Sequence, residues 1–293
     1  MITTQFRIRL SCLLGLLALI LPGRLAHADI DFNSDGHPDL IFQNQSTGQL
    51  VYWLMNGSTY AGGAGLADPF SSDWKAVDTA DFSGDGKADI VFQNSTTGQI
   101  VIWYMNGTTF IGGGAISLVP LAGYKVVGSA DINSDGHRDL VFQDAATGNI
   151  AFWYMNGRSV LGSAALTNVP ASPDPNSQVV GVSDVDGDGK PDLIFQNLST
   201  QVISFWSLQG STVIGSSTLA YVPASGYRVV GLGDFNADGS TDLLFQNTTS
   251  GQLVYWLLKG TTLIGAASVS ANVSSGWHVV GIRSFTSYSH LPQ

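Results

Sequence analysis

The sequence contains one cysteine and no glutamate. Cys12 lies in the N-terminal apolar region, so a chain that has lost this region can form no disulfide and has no cysteine nucleophile. All 22 acidic residues are therefore Asp, which excludes the EF-hand loop, because that loop needs a bidentate Glu at its twelfth position. Basic residues are also few, and the net charge of −10 disfavours nucleic-acid binding, which requires neutralisation of phosphates.

Residues 1–28 differ from the rest of the chain. Arg7 and Arg9 precede an apolar run over 10–21, and Ala26-His27-Ala28 offers an A-x-A cleavage site. This pattern predicts a secretory signal peptide, and the run is too short for a membrane span; a retained N-terminal anchor is the alternative. We expect residues 29–293 to form the mature chain, without membrane insertion, secreted or held in the periplasm or at the cell surface.

The remainder of the chain is an array of five similar units. An acidic loop begins at Asp31, Asp81, Asp131, Asp184 and Asp234. A Phe-Gln pair and then a tryptophan follow each loop at constant spacing, as in Phe142-Gln143 and Trp153. A period near 50 residues is typical of propellers and other repeat architectures.

Each loop has oxygen-bearing side chains at positions one, three, five and nine and a glycine at position six. Hard cations such as Ca²⁺ take six to eight oxygen ligands, and a glycine permits the sharp turn. We predict about five structural Ca²⁺ ions, with the main-chain carbonyl of position seven as a further ligand; ordinary turn formation is the alternative. The predicted ligands are Asp31, Asn33, Asp35, His37 and Asp39; Asp81, Ser83, Asp85, Lys87 and Asp89; Asp131, Asn133, Asp135, His137 and Asp139; Asp184, Asp186, Asp188, Lys190 and Asp192; and Asp234, Asn236, Asp238, Ser240 and Asp242.

The segments between loops are short, rich in β-branched and aromatic residues, and bounded by Gly, Asn, Ser and Thr, which indicates strands and turns. In the third unit we expect strands over 139–143, 149–155, 159–166 and 178–183. Four antiparallel strands in about 50 residues are typical of a propeller blade. The sequence therefore predicts an all-β, five-bladed β-propeller of four-stranded antiparallel blades with calcium-binding hairpin loops. The orphan segment Trp277–Ile282 is expected to complete the first blade and close the ring.

The loop pattern D-x-[DNS]-x-D-G-x-x-D, which leads into an apolar strand, resembles the FG-GAP and VCBS repeats of exported bacterial proteins. Similar calcium-loop blades occur in integrin α-chain propellers and in some propeller lectins. The resemblance covers nearly all of 29–283, although Val-Val-Gly and Leu-Val-Pro stand where the Phe-Gly…Gly-Ala-Pro part would be. It implies an exported calcium-loop propeller, and the varied functions of such families leave the activity open.

A second set of aromatics opens the last strand of four of the five units, with Ser177 breaking the series, and Lys, Arg or His follows each aromatic. We expect them on the rim opposite the loops, beside polar turns, where they would bind carbohydrate; covering the rim is the alternative. These candidate ligand-binding residues are Trp74, Lys75, Tyr124, Lys125, Tyr227, Arg228, Trp277 and His278. The five mid-strand tryptophans are instead expected to pack between blades.

Little in the sequence points to catalysis. A glycosidase needs two poised carboxylates, and few Asp residues lie outside the loops. We predict no catalytic residues and a non-enzymatic module that binds glycans or a surface polysaccharide through repeated sites. A protein-docking platform is the alternative, with the three-residue insertion near 170–175 as its surface, and a polysaccharide-active enzyme is the remoter one.

Overall fold

The computed structural model describes residues 30–66, 71–170, 176–274 and 276–280. Its strands, in chain order, are β1 (Leu40–Asn44), β2 (Leu50–Asn56), β3 (Thr59–Gly65), β4 (Trp74–Ala80), β5 (Asp89–Asn94), β6 (Ile100–Asn106), β7 (Thr109–Ala115), β8 (Tyr124–Ala130), β9 (Asp139–Asp144), β10 (Ile150–Asn156), β11 (Ser159–Ala165), β12 (Ser177–Ser183), β13 (Asp192–Asn197), β14 (Ile203–Gln209), β15 (Thr212–Thr218), β16 (Tyr227–Gly233), β17 (Asp242–Asn247), β18 (Leu253–Lys259), β19 (Thr262–Ser268) and β20 (Trp277–Val280). All pairings between these strands are antiparallel.

These strands form five four-stranded sheets, which confirms the predicted propeller. Blades 2 to 5 each use four consecutive strands, beginning with β4, β8, β12 and β16. Blade 1 takes its innermost strand from the C-terminal end of the described chain, in the order β20-β1-β2-β3. The pairs Ile41 with Val280 and Asn44 with Trp277 set this register. Closure by the C-terminal strand is thus confirmed, and it leaves no open blade edge at the junction.

The innermost strands line the central axis. Contacts run from β20 to β4, β8, β12, β16 and back to β20, so the ring is closed. In β8 the register shifts between Val126 and Gly128, and the same bulge recurs in β4, β12 and β16. Such a bulge bends the strand and increases its twist.

The core is divided into five apolar clusters, each shared by two neighbouring blades. The Phe of each Phe-Gln pair is at most 1% exposed, and burial of such a side chain contributes about 1.5–3 kcal/mol. The mid-strand tryptophan lies against it, with ring centroids 4.8 Å apart for Phe142 and Trp153. The predicted packing of these tryptophans between blades is what the structure shows, because each belongs to or packs against one of these clusters.

Candidate functional site

In blades 2 to 5 the acidic loop is a hairpin connection between the innermost strand and the next strand, whereas the first loop leads into β1, whose inner partner is the C-terminal β20. In the third loop, Asp131 follows β8 directly and Asp139 begins β9. Four equivalent connections leave the inner strands of blades 2 to 5 in the same direction, and the first loop enters β1 at the same end, so the five loops surround one end of the axis. We call this end the loop end.

The backbone of each loop turns twice through the left-handed region. Position four has a positive φ in every loop, for example 62° at Ser134 and 78° at Gly84, and position six is a glycine with φ between 80° and 88°. The first carboxylate stabilises this shape, because Asp131 accepts hydrogen bonds from the N–H groups of Asp135 (3.0 Å) and Gly136 (2.8 Å). Glycine avoids the steric penalty of this conformation at position six, whereas position four adopts it with Ser34, Ser134 and Ala237 as well as with glycine.

The side-chain oxygens of the loops converge. Carboxylate oxygens of Asp184, Asp186 and Asp188 lie within 4.8 Å of one another. In the first, third and fifth loops an Asn occupies position three and donates to the fifth-position Asp, as Asn133 does to Asp135 at 2.9 Å. This hydrogen bond is the first cause of the lowered pKa of Asp135. An exposed cluster of ionised oxygens with a shaped backbone fits a hard cation.

Position seven contributes its backbone. The N–H of His137 donates to Asp135 at 2.9 Å, and the same bond recurs at His37, Lys87, Lys190 and Ser240. The position-seven side chains differ in chemistry, and Lys190 lies 3.9 Å from Asp188. Because the side chain at position seven varies, the feature that all five loops share there is the main chain.

The ninth-position carboxylates are buried and bind the backbone. Asp139 accepts hydrogen bonds from Ile132 (2.9 Å) and Met155 (2.8 Å), so it fixes the loop to the adjacent strand. Asp39, Asp89 and Asp242 do the same, whereas Asp192 Oδ1 has no partner among the described residues. A carboxylate oxygen has a second lone pair, so these bonds do not preclude a cation.

Burial raises the pKa of these ninth-position groups. The pKa is about 6 for Asp39, Asp139 and Asp192 and about 7 for Asp242, and for Asp89 it is also raised. Neighbouring loop carboxylates add to the rise, as Asp31 and Asp35 do for Asp39. A cation among these oxygens would favour the ionised forms.

At the opposite end, the predicted rim aromatics lie beside the predicted turns. Tyr124 pairs with Asp144 and Trp74 with Asn94 in the strand register. Each of Trp74, Tyr124, Tyr227 and Trp277 is half-buried and packs against one of the clusters between blades. The rim aromatics therefore cover the core with one part and present the remainder to solvent.

The neighbouring cations are engaged within the protein. Lys75 Nζ donates to the carbonyl of Gln45 at 3.1 Å, and Arg228 donates to Gln201 Oε1 at 2.7 Å. Burial lowers the pKa of His278, and the charge of Lys75 adds to this effect. The turn amides are also used, since Asn94 Oδ1 accepts from two backbone N–H groups of its own turn. Lys125 is half-buried as well.

Blade 2 carries an open groove on this aromatic surface. Trp74, Trp103 and Phe110 line a space of about 330 Å³ whose remaining lining includes Gly113 and Gly114. Trp103 and Phe110 have ring centroids 5.1 Å apart, and Phe110 is 47% exposed. A Cβ atom on Gly113 would lie 2.1 Å from the carbonyl of Ile102, so glycine is required where the two strands approach so closely. The groove thus combines aromatic rings with a flat backbone floor.

Five buried glutamines form a set of contacts that the sequence analysis did not assign. Each donates its side-chain amide to a carbonyl of the next blade's inner strand and accepts an N–H two residues further on. Gln246 joins blade 5 to β20 in this way, through Trp277 O (3.0 Å) and Val279 N (3.4 Å). The repeated Phe-Gln pair was the available signal. The set is Gln43, Gln93, Gln143, Gln196 and Gln246.

Three sequence predictions fall wholly or partly outside the described residues. They are the proposed signal peptide at 1–28, the part of the insertion over 171–175, and the last two residues of the orphan segment, 281–282. Within the described part of the chain, no helix is long and apolar enough to cross a membrane.

Comparison with solved structures finds only matches of low sequence identity. A chain of the nidogen/laminin complex is 11% identical, with a TM-score of 0.46 over 83% of this chain and 97% of that one. The Tc holotoxin pore of Photorhabdus luminescens is 19% identical, with a TM-score of 0.44 over 83% of this chain, which spans only 12% of the toxin chain. The glutaminyl cyclase of Myxococcus xanthus is 11% identical, with a TM-score of 0.40 over 70% of this chain and 88% of that one. No curated protein matches the chain.

The family comparison follows the repeat seen in the structure. The FG-GAP-like repeat matches residues 31–92, 81–142, 131–195 and 184–245. Each match begins at the first Asp of one loop and ends at the Phe of the Phe-Gln pair that follows the next loop. Each matched segment therefore spans two loops. The matches together cover most of the chain, and the protein belongs to the FG-GAP-like repeat family.

Proposed function

We propose that this propeller is an exported, calcium-stabilised recognition module that binds carbohydrate without catalysing a reaction. The aromatic groove at Trp74, Trp103 and Phe110 is the observation that carries this proposal. Aromatic faces pack against the apolar faces of sugar rings, and an open groove admits a segment of a polymer. Three aromatic rings meet in it, and Trp74 is one of the predicted rim residues.

The repeated architecture supports a multivalent ligand. Half-buried aromatics recur at the same place in blades 1, 2, 3 and 5, whereas blade 4 has Ser177 there. Several weak sites on one rigid ring gain strength on a polysaccharide or a glycan-coated surface, because later contacts form at high effective concentration. Calcium at the loop end would hold the blades in place and need not contact the glycan.

A glycan array with the calcium-loaded protein, repeated after chelation, tests this function. We expect binding that falls at least tenfold in Trp74→Ala and in the double variant Tyr124→Ala/Tyr227→Ala. Ser177→Ala changes the same position of the blade that lacks the aromatic, so it serves as the matched control and should bind normally. If the folded, calcium-loaded protein binds no glycan, the carbohydrate proposal fails.

Protein docking is a second candidate, and one surface favours it. The connection between β7 and β8 exposes Leu118, Val119 and Leu121, the last at 78%. Val119 lies at the turn of blade 2, where an added Cβ on Gly98 would be 3.4 Å from it. Adjacent exposed apolar side chains are typical of interaction surfaces. Binding to a protein partner that is lost in Leu121→Ser but retained in Trp74→Ala would favour docking over carbohydrate recognition.

A further inference from the structure

One buried carboxylate interrupts the repeat of the inner strands. The Val-Val-Gly segment places a glycine at 128, 181 and 231, directly after the bulge, whereas β4 has Asp78 at this position. Asp78 is only 4% exposed, and its Oδ2 has no hydrogen-bond partner among the residues that the structure describes. A buried carboxylate without a partner is costly, so a group that satisfies it is expected.

The neighbouring blade also differs from the repeat at the position that faces this residue. A Cβ on Gly128 would lie 2.9 Å from Val182 of the next blade, so a side chain at 128 has no room. The residue equivalent to Val182 beside Asp78 is Ser129. At the junction of blades 3 and 4 a glycine therefore faces a valine, whereas at the junction of blades 2 and 3 an aspartate faces a serine. The smaller, polar serine supplies both the space and a hydroxyl group.

These two side chains do not satisfy each other. The Ser129 hydroxyl lies against Asp78 and opposes the rise of its pKa as a hydrogen bond would, but among the described residues neither Ser129 Oγ, which is 1% exposed, nor Asp78 Oδ2 has a partner with hydrogen-bond geometry. Asp78 also receives a hydrogen bond from the N–H of Thr79. Asp78 Oδ2 and the Ser129 hydroxyl therefore border the same space, and each can still interact with a further group.

That space is a cavity on the propeller axis. Its volume is about 40 Å³, and inner-strand residues of all five blades line it, including Thr79, Ser129, Val182, Leu232 and Val280. A single water needs about 10–15 Å³ of such a cavity, so this one has room for one ion and a ligating water. The first loop also reaches it through Pro38 and Asp39, which places the cavity at the loop end.

The charge around the cavity favours a cation over a neutral guest. Asp39 and Asp78 both line it, and the acidic loops surround this end of the axis. Burial raises the pKa of Asp78 to about 7, and the positive charge of Arg138 offsets only part of this rise. Low-dielectric walls focus the field of the surrounding carboxylates into the channel.

We infer that the axial cavity binds one small hard cation, in addition to any held by the five loops, with Asp78 as its charged ligand and Ser129 as a neutral one. The ion joins the inner strands of blades 2 and 3 at the centre of the ring. Hard cations prefer carboxylate and hydroxyl oxygens, and Asp78 Oδ2 and Ser129 Oγ supply one of each, neither with a hydrogen-bond partner among the described residues.

The repeat supplies the test variant. Asp78→Gly/Ser129→Val installs at this junction the pair that blades 3 and 4 already contain, so it should fold. Asp78→Asn is a second, nearly isosteric variant. Bound Ca²⁺ per chain is measured by equilibrium dialysis and metal analysis, and melting temperatures are compared in NaCl and in choline chloride with calcium chelated. The exposed substitution Asp73→Asn is the control.

Both cavity variants should bind one Ca²⁺ fewer than the wild type, or, if the ion is Na⁺, lose the stabilisation that NaCl gives over choline chloride. Combining Asp85→Ala with the double variant should remove two ions, which separates the axial site from the second loop. If both variants match the wild type in calcium content and in sodium dependence, Asp78 is a protonated acid only and the inference is wrong.

Discussion

The loop end and the rim carry the same five-fold repeat but differ in how far the copies agree. At the loop end, positions one, five and nine are Asp in every blade. At the rim, the aromatic position holds Trp, Tyr, Ser, Tyr and Trp in sequence order, and the next position holds Lys, Lys, Gln, Arg and His. The difference follows from the backbone. Asp139 and its equivalents bind buried N–H groups, whereas a rim side chain can change without leaving such a group unpaired.

The largest effect is expected at the ninth-position carboxylates, which bind backbone N–H groups and are also proposed metal ligands. Asp139→Ala leaves the buried N–H groups of Ile132 and Met155 without their acceptor. Each unsatisfied group costs about 1–3 kcal/mol, so we expect a loss of about 2–5 kcal/mol in the free energy of unfolding even under chelation. Denaturant unfolding with excess EDTA measures it.

Asp135→Ala is the matched control in the same loop. Asp135 is exposed, so its removal should change stability by less than about 0.5 kcal/mol in EDTA and matter only when calcium is present. Equal losses for the two variants in EDTA would show that the ninth position has no separate structural role.

Asp78 should make stability fall as pH rises. Its folded pKa is about 7, above the value of about 3.9 expected in the unfolded chain. The folded state therefore binds the proton more tightly, and this contribution is complete below pH 4 and lost as the pH passes 7. The positive charge of Arg138 acts on it from a neighbouring blade, and Asp39 lines the same cavity.

Asp78→Asn should remove this dependence. We consider a solution without divalent cations and with choline as the only salt cation. There, the free energy of unfolding of the variant relative to the wild type should rise by up to about 4 kcal/mol between pH 4 and pH 8. Unfolding titrations at several pH values give the difference directly. A constant difference across the range would mean that Asp78 is ionised in both states.

The glutamine bridges should contribute less, and most visibly at ring closure. Gln246→Ala removes the acceptor of Val279 N–H and the donor to Trp277 O, for a loss of about 2–3 kcal/mol. Gln49 is exposed and lies outside the bridges, so Gln49→Ala should be nearly neutral. Faster hydrogen exchange confined to β20 and β1 in Gln246→Ala would support the bridging role, and no change there would argue against it.

The smallest effect is expected at the rim. Tyr227→Phe deletes only the hydroxyl that donates to Gln252 at 2.7 Å, which should cost about 0.5–1.5 kcal/mol and leave calcium binding unchanged. A change in bound calcium per chain in this variant would show that the two ends are coupled, contrary to the comparison above.

The periodic features of the fold could be predicted from the sequence. The four strands of the third unit agree with the structure to within two residues at each end, because short runs of β-branched and aromatic residues, bounded by Asn-Gly or Thr-Gly turns, fix them locally. The orphan Trp277 segment revealed the closure of the ring. The buried role of the ninth Asp was not predicted, since the same residue type serves both metal binding and backbone binding.

Features that depend on the neighbouring blade could not be read from one repeat. The Phe-Gln pair was visible, but its partners lie about 31 residues away across the blade junction. Asp78 is one of the few Asp residues outside the loops. Its burial could not be predicted, because it arises from five inner strands that meet on the axis. The groove at Trp74 required the close approach of Gly113 to β6, which composition alone does not show.

Thermal unfolding as a function of free calcium tests the central claim, that ions at the loop end stabilise the propeller. An ion that binds only the folded state contributes about 2.7 kcal/mol per site at a hundred times its dissociation constant. We predict a melting temperature that rises steadily with the logarithm of calcium concentration and falls by many degrees in EDTA. A melting temperature that is the same in EDTA and in millimolar calcium would contradict the account.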